Sequence, residues 1–391
     1  MSIAAANRPT SLAHDIPDDG EGEVPAAHLA PIDGPSAWVG NDLKADTTWR
    51  WQLSDGESAA LVDAARAHAA RGGPAAGFAA VDFPLPGLEP LVRWLGRTLE
   101  DGPGVARIGG LPIEQLTQDE AQSVFWALSV HLGTPVYQTW QGEIVRRVED
   151  LTGGQQFAYQ QPGEGGAAPI RSARMISASS GPLRFHTDKT DLLGLLCAAN
   201  GIAGGESRIV SSVAIHNEIG RRRPDLLAVL HRPYWRMRPI DEEGERADKV
   251  FAMPVFSIGP AGDFTSQYSR TYVNQAQEVA GVPPLTAEQN EALDLLHAVA
   301  DEICLQLPFA VGEMQFINQH VTYHGRTAFS DAAGGAAKRL LYRIWLTTPA
   351  SRALPAGHAV QWGSAAAGSL RGGALPGRSP LFEPAGADAA A

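Results

Sequence analysis

Cysteine is scarce in this chain. The two thiols, Cys197 and Cys304, cannot build a disulfide framework or a four-thiolate zinc site, so a reducing cytoplasm is the simplest compartment. Basic residues are outnumbered, 31 Lys+Arg against 43 Asp+Glu, and the formal net charge is −12. That balance argues against nonspecific nucleic-acid binding, which rests on Lys and Arg neutralising phosphates. No run approaches the roughly 18 uninterrupted apolar residues of a membrane span. The opening MSIAAANRPTSLAHDIPDDG has no apolar core segment and no early basic cluster, so a secretory signal is not expected. An internal repeat and the Gly-x-Ser-x-Gly elbow of a serine hydrolase are also missing.

What is there reads as globular and soluble: 391 residues, 44% hydrophobic and 19% charged, enough for a sizeable core. Residues 1–40, rich in Ala, Pro, Gly and acid, are expected to form a flexible arm, and 351–391 an Ala/Gly/Pro-rich tail. Residues 41–350 are expected to form one domain. Helices are expected over Ser58–His68, Asp119–His131, Ala214–Arg222, Pro224–Leu230 and Thr286–Leu305. Short strands are expected over Gly104–Ile108, Asp191–Ala198, Ser207–Ser212, Glu313–Asn318 and Arg339–Thr347. Helices that do not alternate strictly with strands favour an antiparallel sheet or barrel over a doubly wound parallel sheet.

Phe185-His186-Thr187-Asp188 sets an imidazole and a carboxylate two residues apart, on the same side of an extended chain. One more imidazole would complete the 2-His-1-carboxylate triad of non-haem Fe(II) oxygenases. Alone, His-x-Asp is a weak signal that a surface pair produces as readily. His216-x-Glu218 lies on an expected helix, where i and i+2 diverge, and reads as helix surface. The third ligand has two candidates, His320 and His324, in NQHVTYHGRTAF. Further on, period 2 in KRLLYRIWL puts Arg339, Leu341, Arg343 and Trp345 on one face and Leu340, Tyr342, Ile344 and Leu346 on the other. Two arginines in an apolar strand mean either an edge strand with one wet face or the wall of a pocket that holds anions.

The order His-x-Asp, then HGRTAF, then RLLYRIWL resembles the taurine/alpha-ketoglutarate dioxygenase family, which includes clavaminate synthase-like enzymes. GGLPIEQLTQDEAQSVFWALSVHLGTPVYQ (109–138) and FHTDKTDLLGLLCAANGIAGGESRIVSS (185–212) are similar to segments of that family, and the likeness runs from about 85 to 350. The resemblance implies a mostly β fold with flanking helices, a double-stranded β-helix or jelly roll. It implies iron bound by His186, Asp188 and His324, the last preferred over His320 because Gly325-Arg326-Thr327 follows it. It implies Arg339 on the far carboxylate of 2-oxoglutarate, Ser207 in place of the family's usual Thr beside that co-substrate, and Arg343 on an anionic group of the substrate. The cofactors implied are Fe(II), 2-oxoglutarate and O2, with release of succinate and CO2.

Hydroxylation of an unactivated C–H in a small carboxylated, amino-acid-like metabolite is the default outcome. Desaturation, cyclisation and oxidative demethylation run on the same chassis. Halogenation is disfavoured because Asp188 is present. A non-catalytic cupin-like sensor of oxygen or 2-oxoglutarate and a Ser/His hydrolase remain as rivals. Tyr137, Gln138, Trp140 and Trp235 read first as core and second as pocket wall. No membrane or nucleic-acid partner is expected, and a homo-oligomer stays open.

Overall fold

The computed structural model describes residues 23–153, 177–335 and 337–382. Residues 1–22 of the expected arm and 383–391 of the expected tail lie outside the described residues. Two sheets face one another. The larger runs in the order Arg50–Gln52, Val105–Gly109, Met314–Asn318, Leu192–Ala199, Leu340–Thr347 and Thr134–Pro135, with Arg146–Val148 also pairing to Leu340–Thr347. Only its first pair is parallel. The smaller is antiparallel throughout: Leu305–Leu307, Ser207–Ser211, Thr322–Arg326, Leu183–His186. This is the jelly-roll core with flanking helices.

Strand alternation decides what each face buries. Val105, Leu193, Ile317 and Trp345 of the large sheet meet Ile209 and Leu305 of the small one in the inter-sheet core. The opposite large-sheet face, with Ala106, Leu196, Phe316 and Ile344, packs on helices Asp55–Ala70, Glu89–Glu100 and Gln118–Leu132. The outer face of the small sheet packs on Ser212–Arg222, Pro224–Leu230 and Ala287–Ile303. Gly194 lets the helix-side layer close, since a Cβ there would lie 2.7 Å from Ile344 Cγ2 and 2.9 Å from Phe316 Cε1.

The helix starts differ from the sequence expectation for a local reason. The first begins at Asp55 rather than Ser58 because Ser54 and Glu57 form a reciprocal capping box. Thr286 and Gln289 do the same for Ala287–Ile303, so Thr286 is the cap and not the first turn. Cys304 turns extended and Leu305 opens a strand. The strand Leu340–Thr347 is buried at every position and paired on both sides. The edge-strand reading of Arg343 therefore falls; Arg339 immediately precedes the strand, and both arginines line a cavity. The segment 351–382 runs back over the barrel, with Trp362 and Arg371 fully buried.

Candidate active site

The small sheet makes the site. His186 ends the strand Leu183–His186, and His324 sits opposite it in register on Thr322–Arg326, with ring centroids 4.2 Å apart. A bulge follows His324, and Gly325 permits it: a Cβ there would meet the Leu183 carbonyl oxygen at 2.6 Å. Asp188 comes two residues after His186, in the loop leaving the strand. One ligand atom from each of His186, Asp188 and His324 lies within 4.8 Å of the others. His320 is not part of this group.

The surroundings fix each donor in a metal-ready form. His186 Nδ1 lies 2.9 Å from the Arg184 carbonyl, which orients the ring so that Nε2 faces Asp188 Oδ1 at 3.7 Å. Burial pushes both imidazoles below their usual range, that of His324 to about 3, so both are neutral and keep a lone pair. His324 Nδ1 is buried without a hydrogen-bond partner. Burial would raise the Asp188 carboxyl, but the positive charge of Arg343 and the Trp345 N–H act against it, and the carboxyl is held low and ionised. Arg343 Nη1 stands 3.3 Å from Asp188 Oδ2, and Trp345 Nε1 donates to the same oxygen at 2.8 Å. The Asp188 amide donates to Gln319 Oε1 at 2.7 Å. Two neutral imidazoles and one ionised carboxylate suit a first-row divalent ion with open positions.

The triad opens into a cavity that is also lined by Arg339, Arg343, Ser207 and Leu341. Arg339 is 3% exposed, and its Nε and Nη1 have no partner. Burial pushes its guanidinium below the usual value, and no carboxylate side chain ion-pairs with it among the described residues. Gly205, at φ +74°, lets this side chain approach: a Cβ there would meet Arg339 Nε at 2.6 Å. Ser207 Oγ meets the Gln315 side-chain amide at 3.0 Å. Arg343 Nε donates to Gln138 Oε1 at 2.8 Å, and Nη2 is without a partner.

The opposite wall comes from segments that carried no sequence signal. Arg236, Glu243, Gln267 and Tyr268 line it, and so does Gln361 from the C-terminal segment. Lys189 Nζ pairs with Glu243 Oε1 at 2.7 Å, which ties this wall to the ligand loop. The one available hint was adjacency: Lys189 follows Asp188, and Gln319 precedes His320. Tyr137, Trp140 and Trp235 are not among the lining residues, and Trp140 is 51% exposed. Gln138 reaches the cavity only through Arg343.

The surface reading of His216 needs correction. His216 is fully buried, with Nε2 3.0 Å from the His28 carbonyl, because residues 28–32 cover this helix face and Asn217 binds both backbone groups of Ile32. Only Glu218 of that pair is at the surface, bound to Arg221 and Arg222.

A jelly roll with a His-x-Asp…His cluster and an anion-ready arginine in one cavity defines the class of non-haem iron oxygenases. The model of the taurine catabolism dioxygenase TauD, TfdA family matches residues 52–345. The chain belongs to that family and is an Fe(II)- and 2-oxoglutarate-dependent dioxygenase. It is 28% identical over 346 residues to FR-33289 synthase of Streptomyces rubellomurinus, covering 86% of this chain and 96% of that protein. It is 25% identical over 321 residues to taurine hydroxylase-like protein SAT17 of Stachybotrys chartarum, covering 79% and 77%. Its fold matches asparagine oxygenase in complex with Fe(II), 3-hydroxyasparagine and succinate (20% identity, TM-score 0.58, 76% of this chain and 93% of that one). It also matches the non-heme iron oxygenase OrfP in complex with Fe and alpha-ketoglutaric acid (18% identity, TM-score 0.55, 76% and 94%). No helix among the described residues is long and apolar enough to cross a membrane.

Proposed function

We propose that His186, Asp188 and His324 hold the iron, that Arg339 takes the distal carboxylate of 2-oxoglutarate, and that the enzyme hydroxylates a small amino-acid-like acid. The observation that carries this reading is Arg339. A guanidinium buried at 3% exposure with two unpartnered nitrogens, in the cavity of the triad, is costly unless an anion arrives to pair with it. When bound, Fe(II) with 2-oxoglutarate and O2 supplies the oxidising chemistry, coupling decarboxylation to succinate and CO2 with oxidation of the substrate.

The chain's own residues bind, orient and exclude water. Arg339 fixes the co-substrate at its far end, and the Ser207 hydroxyl, already on the cavity wall, offers a second hydrogen bond. Arg343 keeps Asp188 ionised and in place through Nη1, Gln138 holds the Arg343 Nε, and Nη2 remains for an anionic group of the substrate. Leu341, Leu195 and Phe309 supply an apolar wall. An amino-acid-like substrate is supported by the relatives of similar fold, asparagine oxygenase bound to hydroxyasparagine and OrfP bound to L-Arg. Two free thiols and the net charge of −12 support a cytoplasmic enzyme with small-molecule rather than nucleic-acid partners. The test is succinate formation across a panel of amino acids and related carboxylates, with Fe(II) and O2. A member of the panel that raises succinate well above the substrate-free rate and gains one oxygen supports the reading. A panel without any such acid, from protein that binds Fe(II) and 2-oxoglutarate, removes the amino-acid assignment.

A further inference from the structure

Behind the triad lies a second His–Asp centre, and residues outside the matched family segment complete it. Asp191 is 1% exposed and sits three residues after Asp188. Its Oδ1 accepts from Arg371 Nε at 3.0 Å, from Arg371 Nη2 at 2.8 Å and faces His320 Nε2 at 2.8 Å. Its Oδ2 accepts from Thr347 Oγ1 at 2.6 Å. Arg371 is fully buried, 26 residues beyond the last residue of the family match at 345. The backbone around it is tied to the same loop. Gly373 N–H donates to the Lys189 carbonyl at 2.7 Å, and Ala374 N–H to the Tyr137 carbonyl at 2.7 Å. Gly372 and Gly373, at φ +69° and +68°, allow this approach; a Cβ on Gly372 would lie 2.8 Å from the Lys189 oxygen. Trp362 of the same segment stacks on His320, with centroids 5.1 Å apart.

The loop 187–191 carries the triad's carboxylate, and its path is set by what holds Lys189 and Asp191. We infer that Arg371 is a positioning residue for the metal centre: the C-terminal segment clamps the ligand loop through Asp191 and Lys189 and so sets where Asp188 sits relative to His186 and His324. This rests on the reading of those three residues as the iron ligands. Groups that orient ligands from behind typically change metal affinity by roughly 10- to 100-fold when lost. The same segment brings Gln361 to the cavity, with its Oε1 buried and unpartnered, so the clamp also holds one side chain of the pocket wall.

The test is isothermal titration of the anaerobic, full-length apoprotein with Fe(II), comparing wild type with Arg371→Met. The affinity is expected to fall at least tenfold or so, toward the range for lost outer-shell partners. Arg371→Lys is expected to recover only part, because an ammonium cannot give the two-nitrogen contact. Leu61→Ala, in the helical layer on the far face of the larger sheet, serves as a control: its melting temperature should fall while its Fe(II) affinity stays. If Arg371→Met is insoluble, Asp191→Asn/Arg371→Met removes both buried charges and is read by the same criterion. An affinity within about threefold of wild type in the folded variant overturns the inference, as does an equal loss in Leu61→Ala. Wild-type protein that takes up no Fe(II) instead refutes the ligand assignment itself.

Discussion

Two His–Asp centres stand one loop apart, and they differ in what surrounds them. His324 and Asp188 face a cavity, with His324 Nδ1, Arg339 Nε and Nη1, and Arg343 Nη2 all lacking protein partners. His320 and Asp191 are sealed. His320 Nδ1 meets Thr265 Oγ1 at 2.8 Å, its Nε2 meets Asp191, and Asp191 is filled by Arg371 and Thr347. The same residue types make a centre open to a ligand where the hydrogen bonding is incomplete and a closed one where it is saturated. The electrostatics agree, since Arg343 beside Asp188, and His320 with Arg371 beside Asp191, each keep a buried carboxylate ionised, yet only the first centre has open space before it.

The comparison breaks most visibly with single-residue loss of the open centre. His186→Ala, Asp188→Ala and His324→Ala are each expected to abolish substrate-dependent succinate formation, whereas His320→Ala should cost roughly 2–4 kcal/mol of stability and keep turnover at saturating iron. Chemical denaturation and a succinate assay on the four variants check this together. Next in size is Arg339→Ala. Leaving a carboxylate without its buried partner costs about 3 kcal/mol, so 2-oxoglutarate affinity should fall about 100-fold. Arg343→Ala, which also frees Asp188, should weaken Fe(II); at saturating Fe(II) it should leave 2-oxoglutarate within a few-fold and weaken the primary substrate, and anaerobic titration of the charge-transfer band reads both. Equal losses in the two variants would assign both arginines to the co-substrate.

A smaller effect is expected from Gly205→Ala, which forces a side chain into φ +74° and against Arg339. It should lower 2-oxoglutarate affinity roughly tenfold and stability by about 1 kcal/mol, measured by the same titration and by urea unfolding. The smallest concerns acid. Burial holds the His231 imidazole near pH 3, and His216 beside it is also lowered by burial. Below about pH 6.5 the unfolded chain takes up protons that these folded imidazoles refuse, so stability falls as pH drops toward 3, by at most about 1.4 kcal/mol per pH unit per group. Urea unfolding at pH 7 and 5 should show this loss, and His231→Phe should reduce it.

The open centre was legible because it obeys local rules. Period 2 on 339–346 separated the cavity face from the helix face correctly, down to Arg343 and Trp345. His-x-Asp pointed to two ligand atoms in one place, and that is where they lie, although Asp188 is in the loop after the strand and not on it, so the period-2 argument did not carry that residue. Between His320 and His324 the residues alone did not choose, because both flank the same turn and both meet an aspartate; the family motif was needed. The sealed centre was illegible for a different reason. Its closing residue, Arg371, lies in an Ala/Gly/Pro-rich stretch whose order comes from backbone hydrogen bonds to Lys189 and Tyr137, and such bonds leave no periodic pattern. Likewise His216 read as surface because the residues that cover it, 28–32, are irregular.

The most direct test of the distinction is anaerobic titration of His324→Ala and His320→Ala with Fe(II) in the presence of 2-oxoglutarate, followed by the metal-to-ligand charge-transfer band. One iron per chain and the band in His320→Ala, with neither in His324→Ala, is the result this account predicts. Iron and the band in His324→Ala, with both lost from a folded His320→Ala, would contradict it.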